Sequence, residues 1–276
     1  MSAPLKGLVL SGGRSTRMRA DKALLRYAGE TQLDRAARLL APHVQGVFVS
    51  VRPDQASEPT RARHAQILDL PGASGPVAGI LAAQAADCAA AWLVVACDLP
   101  QLDGRTLATL VAARDPARIA TAFRSAEGGL PEPLCAIYEP ASAAALRAFV
   151  ATGRECPRKF LLGADTLLID QPNPKALDNV NTPEEFHATA QQLETSARPI
   201  RVQYFALLRE QARCTEENVS TGAATPRELY AELKARHHFT LPADMLKVAV
   251  NDEFADWSLA LKSGDAVVFI PPVAGG

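Results

Sequence analysis

The chain has 276 residues, of which 48% are hydrophobic and 21% are charged. This composition predicts a packed core and excludes wholesale disorder, and the length suits one large domain or two ordinary ones. The formal net charge of −1 argues against a broad surface for nucleic acid or anionic membranes.

The N-terminus and the cysteines indicate the compartment. Residues 1–6 lead directly into the first predicted strand and do not resemble a signal peptide. No apolar run reaches the ~20 residues that a membrane span needs. We therefore expect a cytoplasmic protein with no membrane or nucleic-acid partner. Five scattered cysteines without a Cys-x-x-Cys pattern favour reduced, buried thiols over disulfides or a zinc site: Cys88, Cys97, Cys135, Cys156 and Cys214.

The first predicted strand covers residues 7–10 and is followed by Ser11, Gly12, Gly13 and a basic segment that reaches Lys22. Glycines let backbone amides approach a ligand without an intervening Cβ atom. Successive amides, arginines and a lysine after a strand are typical of a polyphosphate cradle, although the spacing is not that of a P-loop. A polar loop with incidental arginines is the alternative interpretation.

Helical and strand patterns then alternate as far as residue 194. The predicted helices span residues 31–40, 77–86, 105–113, 141–150 and 182–194. The predicted strands span residues 47–51, 65–68, 92–96, 119–123, 134–138 and 167–169. This alternation predicts an α/β fold, a Rossmann-like and mostly parallel sheet with helices on both faces.

Two aspartates come directly after predicted strands. Asp69 follows the strand at 65–68, and Asp98 follows the strand at 92–96. Ligands bind beyond the carboxyl ends of such strands, so we expect both carboxylates to lie near Gly12 and Gly13. A role in capping a turn is the structural alternative for each aspartate.

A capping box opens the last helix of this region. Thr182 and Glu185 flank Pro183 in the arrangement that caps a helix N-terminus, which accounts for these residues without a function. It does not account for Asn179 and Asn181, just upstream.

The pattern restarts after a polar segment, residues 195–199, which predicts a flexible linker. Strands at 200–205, 247–251 and 266–270 and a helix after the capping box 225–228 predict a small, β-rich α+β unit over residues 200–276. His237 and His238 show no pattern of partners, and we interpret them as surface residues.

Several segments, in order, make residues 5–190 resemble the molybdenum cofactor guanylyltransferases of the MobA type. Each is weak alone, but their combined order is specific. The resemblance implies transfer of GMP from GTP to molybdenum-bound molybdopterin, with release of pyrophosphate and use of Mg²⁺. The segments are Leu10–Gly13, Arg17–Met18, Asp21–Lys22, Gly75–Pro76 with Gly79, Cys97–Pro100, Glu132–Leu134 and Asn179–Pro183.

The resemblance also implies roles for single residues, and these suit nucleotidyl transfer, which needs charge neutralisation more than a covalent catalyst. Lys22 and Asp98 are the catalytic candidates, with Lys22 on the phosphates and Asp98 as the Mg²⁺ ligand. Asp69 corresponds to an aspartate that contacts guanosine. The remaining candidates are Leu10, Ser11, Gly12 and Gly13 against the nucleotide, Ser50 near the base, and Asn179 and Asn181 on the pterin side.

The sequence departs from the family pattern at Arg19, where glycine usually follows Arg-Met. One alternative is therefore a transferase that Arg19 has inactivated. Another is a cytidylyl- or sugar nucleotidyltransferase; those relatives typically carry proline before the loop lysine, where this chain has Asp21.

Residues 200–276 resemble the small subunit of molybdopterin synthase, the MoaD type, which is a ubiquitin-like, β-grasp sulfur carrier. The resemblance implies that an adenylating enzyme activates the carboxylate of Gly276, after Gly275, and that the resulting thiocarboxylate serves the large subunit of the synthase. A docking module that transfers nothing is the alternative. The segments that carry the resemblance are Phe205–Glu210, Ala249–Asn251, Gly264–Asp265 and Pro271–Gly276.

Overall fold

The computed structural model describes residues 2–12, 21–27, 29–126 and 128–272, apart from the side chains of residues 194–196. The chain divides into two compact units, residues 1–190 and 191–276. No helix among the described residues is long and apolar enough to cross a membrane. The cytoplasmic location stays a prediction.

The first unit contains a seven-stranded sheet, a two-stranded ribbon and helices that follow the strands. The strands are β1 (Leu5–Leu10), β2 (Arg26–Tyr27), β3 (Glu30–Thr31), β4 (Val47–Val51), β5 (Ala65–Leu68), β6 (Ala91–Ala96), β7 (Ala120–Arg124), β8 (Pro131–Tyr138) and β9 (Thr166–Ile169). The helices are α1 (Gln32–Leu40), α2 (Pro76–Ala86), α3 (Gly104–Ala112), α4 (Ser142–Ala151), α5 (Pro157–Gly163) and α6 (Pro183–Ser196), the last of which continues into the second unit.

The large sheet has the strand order β5-β4-β1-β6-β8-β7-β9. Strand β8 is antiparallel to both of its neighbours, and every other neighbouring pair is parallel. The prediction of a mostly parallel α/β sheet is therefore confirmed. Strands β1, β4, β5 and β6 point the same way, so their carboxyl ends share one edge of the sheet.

Strand β6 is buried along its whole length and joins two apolar cores. Leu93 and Val95 pack into a cluster with α1 and α3, whereas Trp92 and Val94 pack into a second cluster with α2 and α4. Alternate side chains of a strand point to opposite faces. A continuous apolar run is consequently what a strand covered on both faces requires.

The second unit is a five-stranded mixed sheet packed on a helix, the β-grasp arrangement predicted for it. Its sheet has the order β11-β10-β14-β12-β13, with β10 and β14 parallel at the centre. Leu229 and Leu233 of its longer helix pack into one apolar cluster with Val267 and Phe269. The elements are β10 (Arg198–Tyr204), α7 (Ala206–Ala212), β11 (Glu216–Thr221), α8 (Pro226–His237), β12 (Lys247–Val250), β13 (Glu253–Phe254) and β14 (Ala266–Ile270).

The predicted flexible linker is wrong. Helix α6 continues to Ser196 and β10 begins at Arg198, which leaves only Ala197 between them. Pro199 pairs with Ser220 near the start of β10, where a strand tolerates proline. The short, polar composition of residues 195–199 did not reveal that most of them belong to α6 or β10. Elements α5, α7 and β11 were also not predicted.

Candidate active site

Three side chains that are far apart in the sequence meet beyond the carboxyl end of β6. Lys22 opens a single-turn 3₁₀ helix, Lys22–Leu24, that is capped by Asp21. The ammonium of Lys22 lies 3.0 Å from Oδ2 of Asp98 and donates a hydrogen bond of 2.7 Å to Oδ1 of Asn181. A cation, a carboxylate and an amide therefore share one edge of the sheet.

A capping box holds Asn181 in this position. Glu185 accepts hydrogen bonds from the backbone amides of Asn181 (2.7 Å) and Thr182 (3.2 Å), and Thr182 Oγ1 accepts from the amide of Glu185 (3.2 Å). The amide of Val180 contacts the carbonyl of Asp98. Asn179 is exposed, and the structure does not bring it into the contact between Lys22 and Asp98.

A second group of residues lies beyond the neighbouring strands β1, β4 and β5. Ser11 donates to the carbonyl of Ser50 (2.9 Å), and the Ser50 hydroxyl donates to Oδ1 of Asp69 (2.5 Å). A Cβ atom added to Gly12 would lie 2.9 Å from Oδ2 of Asp69. The carboxylate therefore faces the backbone that follows β1, where only glycine leaves room for it.

Burial raises the pKa of Asp69, while the hydrogen bond from Ser50 and the charge of Arg52 act in the opposite direction. The net shift is upward. Removal of the Asp69 carboxylate from water therefore outweighs the stabilisation that Ser50 and Arg52 give to its charged form.

Helix α2 approaches this group closely through Gly79. A Cβ atom at this position would lie 2.8 Å from Cδ2 of Leu10 and 3.0 Å from Cβ of Ser50. Gly75, with φ of 61°, and Pro76 start the helix, as proline at the first helical position often does. The ends of β1 and β4 and the start of α2 thus form one compact wall.

Sequence reasoning missed two arginines that bind the backbone of this region. Arg52 donates to the carbonyl of Gly12 (2.5 Å). Arg61 is fully buried and donates to the carbonyl of Ser11 (2.9 Å) and to both oxygens of Asp21 (2.8 and 3.0 Å). Neither arginine belongs to a recognisable motif, so only the fold reveals its position.

The Tyr27 phenol and the Cys97 thiol, both near Asp98, keep their protons. Burial, with a smaller effect of the Asp98 charge, raises the pKa of Tyr27 and that of Cys97 to about 12. The phenol and the thiol are therefore neutral near pH 7 and add no charge to the site.

The structure also tests the prediction made for the cysteines. All five cysteines are free, as predicted, but only Cys97 and Cys135 are buried; Cys88 and Cys156 are exposed, which corrects the expectation of buried thiols. Gly13, Arg19, Gly275 and Gly276 lie outside the described residues.

His237 is not a plain surface residue. Its Nε2 lies 2.5 Å from Oε1 of Glu217, which also accepts a hydrogen bond of 2.6 Å from the Tyr204 hydroxyl. Burial acts to raise the pKa of Glu217, but these hydrogen bonds hold it below its ordinary value. The partner lies on β11, a strand the sequence pattern did not predict.

The second unit also carries an open groove of about 380 Å³ on its sheet. Phe205 and Phe254, two of its lining residues, are exposed by 50% and 75%. Large exposed apolar side chains that line one groove are typical of an interaction surface. The lining residues are Gln203, Phe205, Ala249, Asp252, Phe254, Val268 and Ile270.

Comparisons with known proteins agree with this division. The model of the MobA-like NTP transferase domain matches residues 7–167, and the model of the ThiS family matches residues 202–276. The "Molybdenum cofactor biosynthesis bifunctional protein" of Synechocystis is 36% identical over 66% of this chain, but that match spans only 53% of the relative.

Two further relatives are covered almost completely. The molybdenum cofactor guanylyltransferase of Pseudomonas paraeruginosa is 34% identical over 66% of this chain and 92% of its own length. The crystal structure of molybdopterin-guanine dinucleotide biosynthesis protein A from Archaeoglobus fulgidus superimposes with a TM-score of 0.57 at 22% identity, over 68% of this chain and 97% of that one. At this identity the structural match shows the fold alone.

Proposed function

The chain belongs to the MobA-like NTP transferase family and carries a ThiS family domain, and we propose that its first unit transfers GMP from GTP to molybdenum-bound molybdopterin. The observation that carries this proposal is the meeting of Lys22, Asp98 and Asn181 at the carboxyl edge of the sheet, where α/β folds bind their ligands. Curated relatives with the same domain bear the name guanylyltransferase.

The residues at this edge fit a magnesium ion. The side chain of Asp98 is about a quarter exposed and comes directly after the buried strand β6. The described residues contain no group of three or more His, Cys, Asp or Glu side chains that could hold a metal. Mg²⁺ characteristically takes one or two carboxylates, water and substrate phosphates, so Asp98 would hold it and it would supply neutralisation of the triphosphate charge.

Lys22 supplies the protein's own positive charge. Its ammonium pairs with Asp98 and Asn181 in this structure. When GTP binds, the same ammonium stabilises the charge that develops between the α-phosphate and the departing pyrophosphate. The attacking phosphate of the pterin is already largely ionised near pH 7, so the reaction requires no general base.

Asp69 provides a means of choosing guanine. A carboxylate accepts two hydrogen bonds in parallel, which matches adjacent N–H donors on one edge of guanine. Cytosine offers a single exocyclic amine as donor. Ser50 and the space left by Gly12 keep the Asp69 carboxylate in one orientation, and Asn179 and Asn181 complete the pterin side of the site.

Turnover with GTP and with CTP tests this proposal. Wild-type protein with molybdenum-bound molybdopterin and Mg²⁺ should use GTP. Asp98→Ala should abolish turnover, and Lys22→Ala should raise the barrier by about 2–4 kcal/mol. Asp178→Ala, which removes an exposed aspartate from the loop before Asn181, is the matched control and should behave as wild type. A preference for CTP, or full activity of Asp98→Ala, would refute the assignment.

We propose a second function for the second unit, sulfur transport as a thiocarboxylate on Gly276. The β-grasp fold, the ThiS family match and the apolar groove support it. A partner enzyme would adenylate the terminal carboxylate, and a sulfur donor would displace AMP. The groove would dock the activating enzyme and the large subunit of molybdopterin synthase.

Intact-mass analysis distinguishes this function from a module that only docks. After incubation with an activating enzyme, ATP and a sulfur donor, a carrier gains the mass that corresponds to replacement of one oxygen by sulfur. A docking module that transfers nothing keeps its original mass under the same conditions.

A further inference from the structure

A fully buried guanidinium lies next to the candidate active site. Arg61 has no exposed surface, whereas its two carboxylate partners, Asp21 and Glu58, are partly exposed. A buried charge is costly unless it is paired and hydrogen-bonded. The guanidinium therefore depends on its acceptors, and it cannot itself touch a nucleotide.

Two of the three residues that accept hydrogen bonds from the Arg61 side chain, Ser11 and Asp21, lie on either side of residues 13–20 in the sequence; the third is Glu58. On one side, Nη2 donates to the Ser11 carbonyl (2.9 Å) and Nε to the Ser11 hydroxyl (3.2 Å). On the other side, Nη2 donates to both oxygens of Asp21. One planar side chain thus joins the residue after β1 to the residue before Lys22.

Asp21 passes this constraint on to Lys22. The same carboxylate that binds Arg61 accepts a hydrogen bond of 3.1 Å from the amide of Ala23 and thereby caps the turn that starts at Lys22. The ammonium of Lys22 leaves this turn toward Asp98 and Asn181. The position of the turn therefore decides where the ammonium lies.

We infer that Arg61 is a positioning residue for the transferase: it fixes Asp21, and through Asp21 it sets the position of Lys22. The inference rests on the proposed transferase function. Lysine would keep the charge at this position but cannot replace the planar fork of donors that serves Ser11 and Asp21 together.

A double-mutant cycle tests the route through Asp21. Arg61→Met should lower kcat about 100-fold, since a misplacement of about 1 Å can cost this much, with a smaller change in KM for GTP. Asp21→Asn should give a similar loss, and the double variant should lose little more than either single one, because both act on Lys22. Arg61→Lys should recover only part of the rate.

Arg114 offers a matched control. It pairs with the buried carboxylate of Glu139 (2.6 Å), and Glu139 follows Tyr138, which is paired with the first half of β6 at the opposite edge of the sheet. Both Arg114→Met and Arg61→Met should lower the melting temperature, but Arg114→Met should leave kcat of the folded protein unchanged. A purely structural role for Arg61 predicts that the two variants behave alike.

Chemical labelling of Lys22 gives a readout that does not need turnover. Acylation of Lys22, followed by mass spectrometry, should be several times faster in Arg61→Met, Arg61→Lys and Asp21→Asn than in wild type or Arg114→Met. If wild type lacks transferase activity, the proposed function fails while faster labelling still supports the role of Arg61. Unchanged labelling, additive losses in the cycle, or wild-type kcat in folded Arg61→Met or Arg61→Lys would overturn it.

Discussion

At the scale of single residues, the candidate site contains a carboxylate, Asp69, whose burial destabilises the fold. Neighbouring side chains compensate for part of this cost. Burial raises the pKa of Asp69, and Arg52 and the Ser50 hydroxyl offset this only in part. Between the ordinary pKa and the raised one, the folded protein binds a proton that the unfolded chain has lost. The carboxylate therefore lowers the free energy of unfolding as the pH rises through this range.

Asp69→Asn should consequently make the protein more stable at pH 7 and less selective for GTP over CTP. The gain in melting temperature should shrink as the pH falls to about 4, where aspartate in the unfolded chain also becomes protonated. Thermal melts at both pH values, with Asp178→Asn as the exposed control, check the stability. A lower melting temperature at pH 7, or unchanged nucleotide selectivity, would contradict this role.

Residue-level prediction succeeded where a residue follows a recognisable strand. The family resemblance implied that Asp98 and Lys22 act on the same nucleotide, and the structure brings their side chains within 3.0 Å of each other. Arg61 gave no such signal, because it belongs to a short polar turn and its burial depends on acceptors far away in the sequence. No local pattern distinguishes it from an exposed arginine.

At the scale of elements, helix α2 packs tightly against the proposed nucleotide site. Most of its side chains are buried, and Gly79 lies where any side chain would collide with Leu10 and Ser50. Ser50 in turn binds Asp69. The distance between α2 and the sheet is therefore coupled to the orientation of the Asp69 carboxylate, which we propose binds guanine.

Gly79→Ala should cost about 1–3 kcal/mol of unfolding free energy through overpacking and should weaken binding of GTP. Gly163→Ala is the matched control, since Gly163 ends α5 with no atom within 4 Å of an added Cβ. It should be neutral or slightly stabilising. Urea unfolding and GTP titration measure both effects, and equal stability of the two variants would argue against close packing at Gly79.

The sheet of the second unit presents an apolar groove whose lining includes exposed aromatic side chains. Phe254 lies on the short strand β13, opposite Ala249 in the register, and both line the groove. Burial of an aromatic side chain is a frequent source of binding energy at an interface. If a partner of the proposed sulfur carrier docks at the groove, we expect contact with Phe254 to contribute strongly to its binding energy.

Phe254→Ala should slow thiocarboxylate formation at least about fivefold, the loss expected for an interface residue worth more than 1 kcal/mol, and should leave GTP turnover unchanged. Met245→Ala removes another exposed apolar side chain of the same unit that does not line the groove, and it should have no effect. Thiocarboxylate formed at limiting activating enzyme, followed by intact mass, provides the measurement. Equal rates for both variants would count against docking at the groove.

At the scale of the whole molecule, two units with separate cores correspond to two proposed activities. Each unit has its own family match, and each site is built from residues of one unit. A change in one site should therefore leave the chemistry of the other intact.

Reciprocal variants of the full chain test this independence. Deletion of Gly276 should end sulfur transfer and leave GTP turnover at the wild-type rate, because the transferase residues lie in the first unit. Asp98→Ala should do the opposite. Both rates are measured on the same preparations, and loss of both activities in either variant would show that the units depend on each other.

The sequence by itself determined the fold class, the order of most strands and helices, and the two family resemblances, because these depend on local periodicity and on short motifs. The tertiary structure decided the rest. Lys22 and Asp98 are 76 positions apart, the buried contacts of Arg61 span 40 and 50 positions, and the supposed linker is occupied by α6 and β10. Such features depend on hydrogen-bond partners that lie far away in the sequence and come together only in the folded chain. No local pattern in the sequence identifies these partners.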